Sequence, residues 1–356
     1  MWHSSKKFRR PKWLPRRRTA WAAIAKSAAG EPAKLDLALS IIVICYKMEG
    51  QIGNTLKSLC VPYQRDIQPA DYEIIVIDNG SPHPLADAQW KHGDNIHYHY
   101  ILPAQANGNP GVAINRAVAG ARGRIVCLMI DGARMVTPGV LHWGLRLSAA
   151  GPRTVVEVRG WHLGPKMQMI SVMEGYSSAA EHELLQSIDW PNSGYRLFEI
   201  GVPAQSSNNG FLGKSTETTC AFMSREMFQE IGGFDERYAQ AGGGLANFDF
   251  FWRATTAADT VFTMLGEGTF HQIHGGASTG LAAEERRAKF REWRKEYERL
   301  SRYFENRPPP YEPVLAGHVP VECRRWLGAN EGIVEGDDAL RAKDEKEELT
   351  PPRRRV

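Results

Sequence analysis

The stretch LALSIIVICY, residues 37–46, is a near-continuous aliphatic run of strand length. A strand with one wet face alternates apolar and polar residues, so an unbroken run marks a strand covered on both faces. Just beyond it, Ile52, Leu56 and Leu59 recur at helical spacing. YEIIVIDNGSP, residues 72–82, repeats the aliphatic pattern and ends in Asp78 and the turn formers Asn79, Gly80 and Pro82. GVAINRAVAGA (111–121) reads as a helix and GRIVCLMIDGA (123–133) as a third buried strand. Val140, Trp143 and Leu147 give another helix, and RTVVEV (153–158) another strand. Strand and helix alternating at this spacing means right-handed crossovers and a parallel sheet. The expectation is an α/β fold with a Rossmann-like, mostly parallel sheet flanked by helices.

Further along, residues 160–220 are loop-rich, with WHLGP, WPNSGY and QSSNNGFLG. Long excursions of this kind in α/β enzymes are commonly binding loops. Trp161, Trp190 and Tyr195 there are of the type that stacks on sugar rings, and equally of the type that anchors loops. AFMSREMFQEIGGFDERY (221–238) reads strand, short helix, turn; NFDFFWRATTA (247–257) is helical and DTVFTML (259–265) a strand. A charged helix spans 284–304 and the end from about 333 is polar. These boundaries divide the chain into a basic arm (1–36), a catalytic-type domain (37–280), a helical C-terminal extension (281–332) and a tail expected to be disordered (333–356).

Charge separates the arm from the body. Lys+Arg number 44 and Asp+Glu 40, a net of +4. Nine of the basic residues (Lys6, Lys7, Arg9, Arg10, Lys12, Arg16, Arg17, Arg18, Lys26) and no acidic one fall within 1–30. The remainder therefore holds 35 basic against 40 acidic residues, a net of −5. An acidic body opposes nucleic acid, and no nucleic-acid motif is present. The arm suits an anionic membrane surface, or is a solvated tail. Cys45, Cys60, Cys127, Cys220 and Cys323 show no metal-type spacing and read as buried, reduced thiols of a cytoplasmic protein. No apolar run reaches the roughly 18–20 residues needed to span a bilayer. The arm also lacks the apolar stretch of a secretion signal.

In open parallel sheets, ligands sit beyond the carboxyl ends of the strands. Tyr46 and Lys47 follow the first strand, Asp78 the second and Asp131 the third. Two carboxylates on one sheet edge can serve a nucleotide, one at the base and one at a metal on the phosphates; they can also simply cap turns. A dinucleotide fold would need a Gly-rich turn after its first strand, whereas this turn reads CYKMEG (45–50), and no Walker-type loop occurs. Hydride transfer and ATP chemistry are thereby set aside.

At these residues the chain resembles the family 2 glycosyltransferases of the GT-A fold, over roughly 38–275. The 39–59 segment looks like the family's opening strand and helix, with Tyr46 at its usual aromatic position. EIIVIDNGSP resembles the Asp-Asp-Gly-Ser turn that contacts the nucleotide base, with Asp78 kept and Asn79 replacing the second Asp. Residues 109–133 resemble the segment running from the Ala-Arg-Asn helix into the metal-binding Asp-x-Asp, with Asn115 matching and Ile114 replacing the Arg. IGGFDERY is similar to the acceptor-side turn. The resemblance implies transfer of a sugar from a nucleotide-diphosphate sugar to an acceptor hydroxyl of a glycan, lipid-linked or other molecule. It further implies an inverting, metal-assisted reaction with Tyr46, Asp78, Asn115, Asp131 and Arg134 at the donor.

Two departures reshape the site. The Asp-x-Asp motif reads Asp131-Gly132-Ala133, followed by Arg134, so its second carboxylate is missing. Relatives of the fold often use a late His as a ligand, and EGTFHQIHGG offers His271 and His274 for a Mn or Mg divalent cation. Alternatively, Arg134 supplies the positive charge without a metal. The family's Glu-Asp pair falls on Ala246-Asn247, and Asn accepts no proton. Asp249 takes the role of base, or Glu217 does, or the chain is a catalytically silent nucleotide-sugar-binding or scaffold protein. Finally, Gly242-Gly243-Gly244 before this helix suggests a loop needing close approach or positive φ.

Overall fold

The structure, a computed structural model, describes residues 35–275, 283–301, 303 and 309–328; the basic segment 1–30 and the tail from 333 lie outside them. The strands are β1 (Leu37–Cys45), β2 (Tyr72–Asn79), β3 (Ile96–Ile101), β4 (Gly123–Met129), β5 (Arg134–Val136), β6 (Thr154–Leu163), β7 (Gly201–Pro203), β8 (Cys220–Ser224), β9 (Thr260–His271) and β10 (Val314–Gly317). The helices are α1 (Ile52–Leu59), α2 (Asp87–Trp90), α3 (Pro110–Gly120), α4 (Val140–Ser148), α5 (Gln168–Met173), α6 (Ser178–Ser187), α7 (Arg225–Glu230), α8 (Ala246–Ala257) and α9 (Ala283–Leu300).

One sheet runs β10-β9-β6-β8-β4-β1-β2-β3, with β5 added to β9 and β7 to β6. β3, β2, β1 and β4 are mutually parallel, as are β6, β9 and β10; β8 is antiparallel to both β4 and β6 and joins the two blocks. The mostly parallel α/β expectation is met. The aliphatic runs explain the layering, because alternate residues serve opposite faces. Leu39, Ile41, Val43 and Cys45 of β1 pack with Ile52, Leu56 and Leu59 of α1. Ile42 and Ile44 face the other way, onto Ile114, Ala117 and Val118 of α3 and Phe250 and Phe251 of α8. Each such fully buried aliphatic contributes about 1.5–3 kcal/mol.

Four strands are absent from the sequence reading. β3 (IHYHYI) is an edge strand whose His97, His99 and Tyr100 are exposed or half-buried, so its pattern lacks an aliphatic run. β5, β7 and β10 are only 3–4 residues long. The strand at 259–265 continues to His271, which carries that residue to the site. The loop-rich 160–220 stretch contains α5 and α6. Beyond α9, the C-terminal segment returns to the sheet as β10, parallel to β9. All five cysteines are free and buried, as expected.

The outer half of the sheet has its own core, in which Trp161 is fully buried against Phe198, Phe211 and Phe270. Trp190 is buried there too, edge-on to Tyr63, so neither tryptophan is a sugar platform: Trp161 is a core residue of β6 and Trp190 a loop anchor.

Next to this core, the wholly buried Glu267 receives Thr137 Oγ1 at 2.5 Å, Tyr195 OH at 2.7 Å and the Gly139 N–H at 3.1 Å. It thereby ties β9 to the start of α4. Burial outweighs these bonds and pushes its carboxyl up to about 7. The folded chain therefore keeps a proton that the unfolded chain loses near 4.5, and this stabilisation fades as pH rises toward 7. A shift of this size is worth about 3 kcal/mol. Glu267→Gln should accordingly flatten the pH dependence of unfolding: urea titrations at pH 5 and pH 8 should differ less in the variant. An unchanged difference would refute this.

Candidate functional site

The carboxyl edge of the parallel block brings Asp78 and Asp131 to either side of Cys45. Asp78 sits opposite Cys45 in the β1–β2 register. Asp131 follows β4, and both carboxylates join burial in raising the Cys45 thiol. The Asp131-Gly132 turn is pressed against the end of β1. A Cβ on Gly132 would lie 2.8 Å from both Ile44 O and Cys45 Cβ, so only glycine fits.

Asp131 is the hub of the site. Its Oδ1 accepts the Ala133 N–H at 2.9 Å, which fixes the turn. Its Oδ2 lies 2.7 Å from His271 Nε2, 3.7 Å from His274 Nε2 and 3.7 Å from Arg134 Nε. The two imidazole Nε2 atoms face each other at 3.0 Å. β5 and β9 pair Arg134 with His271, and β6 and β9 pair His162 with His271. Arg134, His271 and His162 thus form one row across three strands, with His162 edge-on to His271 at 5.5 Å.

Asp131 and His271 are both shifted downward, for different reasons. Burial opposes ionisation of Asp131, but His271 and His274 outweigh it and hold the carboxyl well below its usual range. Burial pulls His271 down to about 4 and His162 well below its ordinary value. Within this row Arg134 Nε and Nη1 are buried without a hydrogen-bond partner, as are the Nδ1 atoms of His162 and His271. A buried guanidinium left this way is costly unless a ligand anion completes it.

Asp131, His271 and His274 each offer one donor atom, all within 4.8 Å of one another. Atoms so spaced can occupy neighbouring positions on one cation with bonds of about 2.1 Å. A charged carboxylate and neutral imidazole lone pairs are the donor set a divalent transition metal takes. The residues therefore fit a cation.

Glu217 lies in the same neighbourhood. Burial raises its carboxyl, while Asn247 and the Arg134 charge pull the other way. Asn247 Nδ2 donates to Glu217 Oε2 at 2.5 Å. The segment is anchored on both sides: Arg159 binds Ser215 Oγ and Gly213 O, and Thr218 Oγ1 binds Val158 O at 3.0 Å.

Other expected residues are occupied elsewhere. Asp249 opens α8 but is buried, and it binds Arg253 at 2.7 Å. Arg253 in turn holds Ile231 O and Gly233 O. Asn115 brackets Phe234, taking its N–H at 2.9 Å and donating to its C=O at 2.9 Å. Its contact is thus with the IGGFDERY turn. Asp78 is fully buried, with Oδ1 receiving the Ser81 N–H at 3.1 Å and Oδ2 the Tyr98 hydroxyl at 3.0 Å. Ser81 Oγ also accepts the Lys47 N–H, at 2.8 Å, tying the turn to the end of β1 beside Tyr46, which is 48% exposed. Gly242, Gly243 and Gly244 all have positive φ (78°, 82° and 53°), the conformation expected for that triplet.

The sequence reading missed His162 and Glu181. His162 was hidden in a stretch read for its tryptophan. Glu181, on the largely exposed α6, is buried, and its Oε2 accepts the Ile273 N–H at 2.8 Å, one residue before His274. Burial pushes its carboxyl up to about 7. Nothing in a helical SAAEHELLQS signals such a contact.

Residues 40–132 match the family model of glycosyl transferase family 2. The match ends at Gly132, so Glu217, His271 and His274 lie outside it. No curated protein matches the chain by sequence. Among solved structures, S. aureus TarS is similar at 15% identity and a TM-score of 0.45, covering 75% of this chain. This chain spans 44% of that TarS chain. TarS 1–349 in complex with UDP-GlcNAc gives 15% identity and a TM-score of 0.46, over 76% of this chain and 68% of that one. The same TarS segment with UDP gives 14% and 0.43, over 75% and 73%. Among the described residues, no helix is long and apolar enough to cross a membrane.

Proposed function

We propose that this chain, a member of glycosyl transferase family 2 by its residues 40–132, transfers a sugar from a nucleotide-diphosphate sugar to an acceptor hydroxyl. The observation that carries the reading is the convergence of Asp131, Arg134, His271 and His274 on the sheet edge where the family segment ends. A buried guanidinium beside a carboxylate–imidazole cluster, ion-paired with Asp131 but with Nε and Nη1 making no hydrogen bond, suits a diphosphate and its counter-ion. Asp131, His271 and His274 would hold a divalent cation, whose chemistry is to neutralise charge on the departing diphosphate. Two imidazoles in the donor set favour Mn over Mg.

Arg134 binds a phosphate oxygen through Nη1, which makes no hydrogen bond within the chain. Glu217 removes the acceptor hydroxyl proton; the hydroxyl oxygen attacks the anomeric carbon as its bond to the diphosphate breaks, with inversion. Asn247 donates to Glu217 and orients it. Tyr46 and the Asp78 turn receive the nucleoside. The acceptor is a glycan, lipid-linked or other hydroxyl compound, and the basic residues of 1–30 serve an anionic membrane surface near it.

Calorimetry with UDP- and GDP-sugars plus Mn²⁺, followed by assay of nucleoside diphosphate release, tests the reading. Binding followed by release in the presence of acceptor is expected. Binding without release would favour a silent nucleotide-sugar-binding protein, a reading motivated by Ala133 and Ala246 in place of family carboxylates. Failure of every sugar nucleotide to bind would overturn both.

A further inference from the structure

The segment after β9 is held from two sides. From the parallel block, Gln51 Nε2 donates to Ile273 O at 2.7 Å. The Gln272 side chain accepts from Asn54 Nδ2 at 3.0 Å and donates to Thr55 Oγ1 at 3.1 Å and Gln51 O at 3.2 Å. The Gln272 N–H reaches Ala133 O at 2.8 Å. From the other side comes the Glu181 carboxylate, which takes the Ile273 N–H at 2.8 Å. Both polar groups of the Ile273 peptide neighbourhood are thereby fixed, one by α1's entry and one by α6.

Glu181 is an unusual residue to bury. On α6 only Glu181 and Leu185 are buried, and the rest of the helix is exposed or half-buried. Taking a carboxylate out of water costs several kcal/mol unless it is hydrogen-bonded. Here the compensating bond goes to the backbone that presents His274, and Tyr176 OH stands 3.5 Å from the same oxygen. Tyr176 in turn packs on Gly164, where a Cβ would lie 3.0 Å from its ring. The excursion that leaves β6 at Leu163 is thus linked, by Tyr176 and Glu181, to the far wall of the site.

We propose that Glu181 is a positioning residue: its carboxylate sets the Ile273 peptide and so aims the His274 imidazole at Asp131 Oδ2. This rests on the cation reading above, and the experiment separates the two. Mn²⁺ binding to the full chain is measured by calorimetry for wild type, Glu181→Ala and Glu181→Gln, and the His274 ring resonance, assigned with His274→Gln, is followed in each by NMR. An outer partner of a metal ligand is worth about ten- to a hundredfold in metal affinity, so Glu181→Ala should lose that much. Glu181→Gln keeps an acceptor for the Ile273 N–H and should bind Mn²⁺ like wild type, with the His274 resonance in place.

Leu185→Ala loosens the same helix without touching Ile273 and should move neither readout. If Glu181→Ala does not fold, Glu181→Met fills the space without an acceptor and should show the same losses. Wild-type behaviour of the Ala or Met variant, or an equal loss in Leu185→Ala, would overturn the proposal. If the wild-type chain takes up no Mn²⁺, the cation reading fails, and the His274 resonance still decides the role of Glu181.

Discussion

Asp131→Asn is expected to lower turnover about a thousandfold, corresponding to about 4 kcal/mol of transition-state stabilisation. The choice of Asn matters. Its side-chain oxygen can still accept the Ala133 N–H that fixes the turn, so the backbone beside β1 is preserved. What is removed is the charge on Oδ2, the atom faced by His271, His274 and Arg134. Mn²⁺ affinity should fall along with kcat, while the far-ultraviolet spectrum stays near wild type. Near-normal turnover in a folded Asp131→Asn variant would remove this cluster from the reaction.

Glu217→Gln should cost about a hundred- to ten-thousandfold in kcat, the range for loss of a general base. Donor affinity should hold, because the amide changes no charge assigned to the diphosphate. The pH profile gives a sharper test. Burial raises the Glu217 carboxyl above its usual range, and a base must be deprotonated to act. Wild-type activity should therefore fall as pH drops through that raised value, and the variant's residual activity should lack this acid limb. Asp249 is the competing base, but its carboxylate is already bound to Arg253 at the foot of α8. Loss of turnover in Asp249→Asn with Glu217→Gln left active would transfer the role to Asp249.

The parallel block was legible because buried strands announce themselves. β1, β2 and β4 are near-continuous aliphatic runs, and each contributes to both faces. β3 escaped because an edge strand can carry histidines and tyrosines on its open side. The last residues of β9 escaped because Gly266 and Gly268 interrupt the apolar run before Phe270 and His271. The site divides in the same way. Asp131, His271 and His274 could be singled out because their residue types suit a ligand set near a motif of known order. His162 and Glu181 could not, since their roles come from cross-strand register and from a helix docking some 90 residues away in sequence. Asn115 and Asp249 show the reverse: at motif positions, their bonds go to the IGGFDERY turn and to Arg253.

The sheet order has a consequence for how the molecule is assembled. The block β3-β2-β1-β4 is drawn from residues 37–129, whereas β8, β6, β9 and β10 form the other block. The ladder that stitches them together is the five-residue pairing of β4 with β8, from Ile125↔Ser224 to Met129↔Cys220. Asp131 leaves one side of that seam; Glu217 enters on the other, and His271 and His274 belong to the other as well. Closing a loop of some 90 residues is entropically dearer than zipping neighbouring strands. An early folding intermediate made of the first block alone would contain the family segment but no reaction centre. Any ligand that bridges Asp131 and His271 binds only the closed sheet, so it acts as a clasp on the seam and raises global stability by mass action.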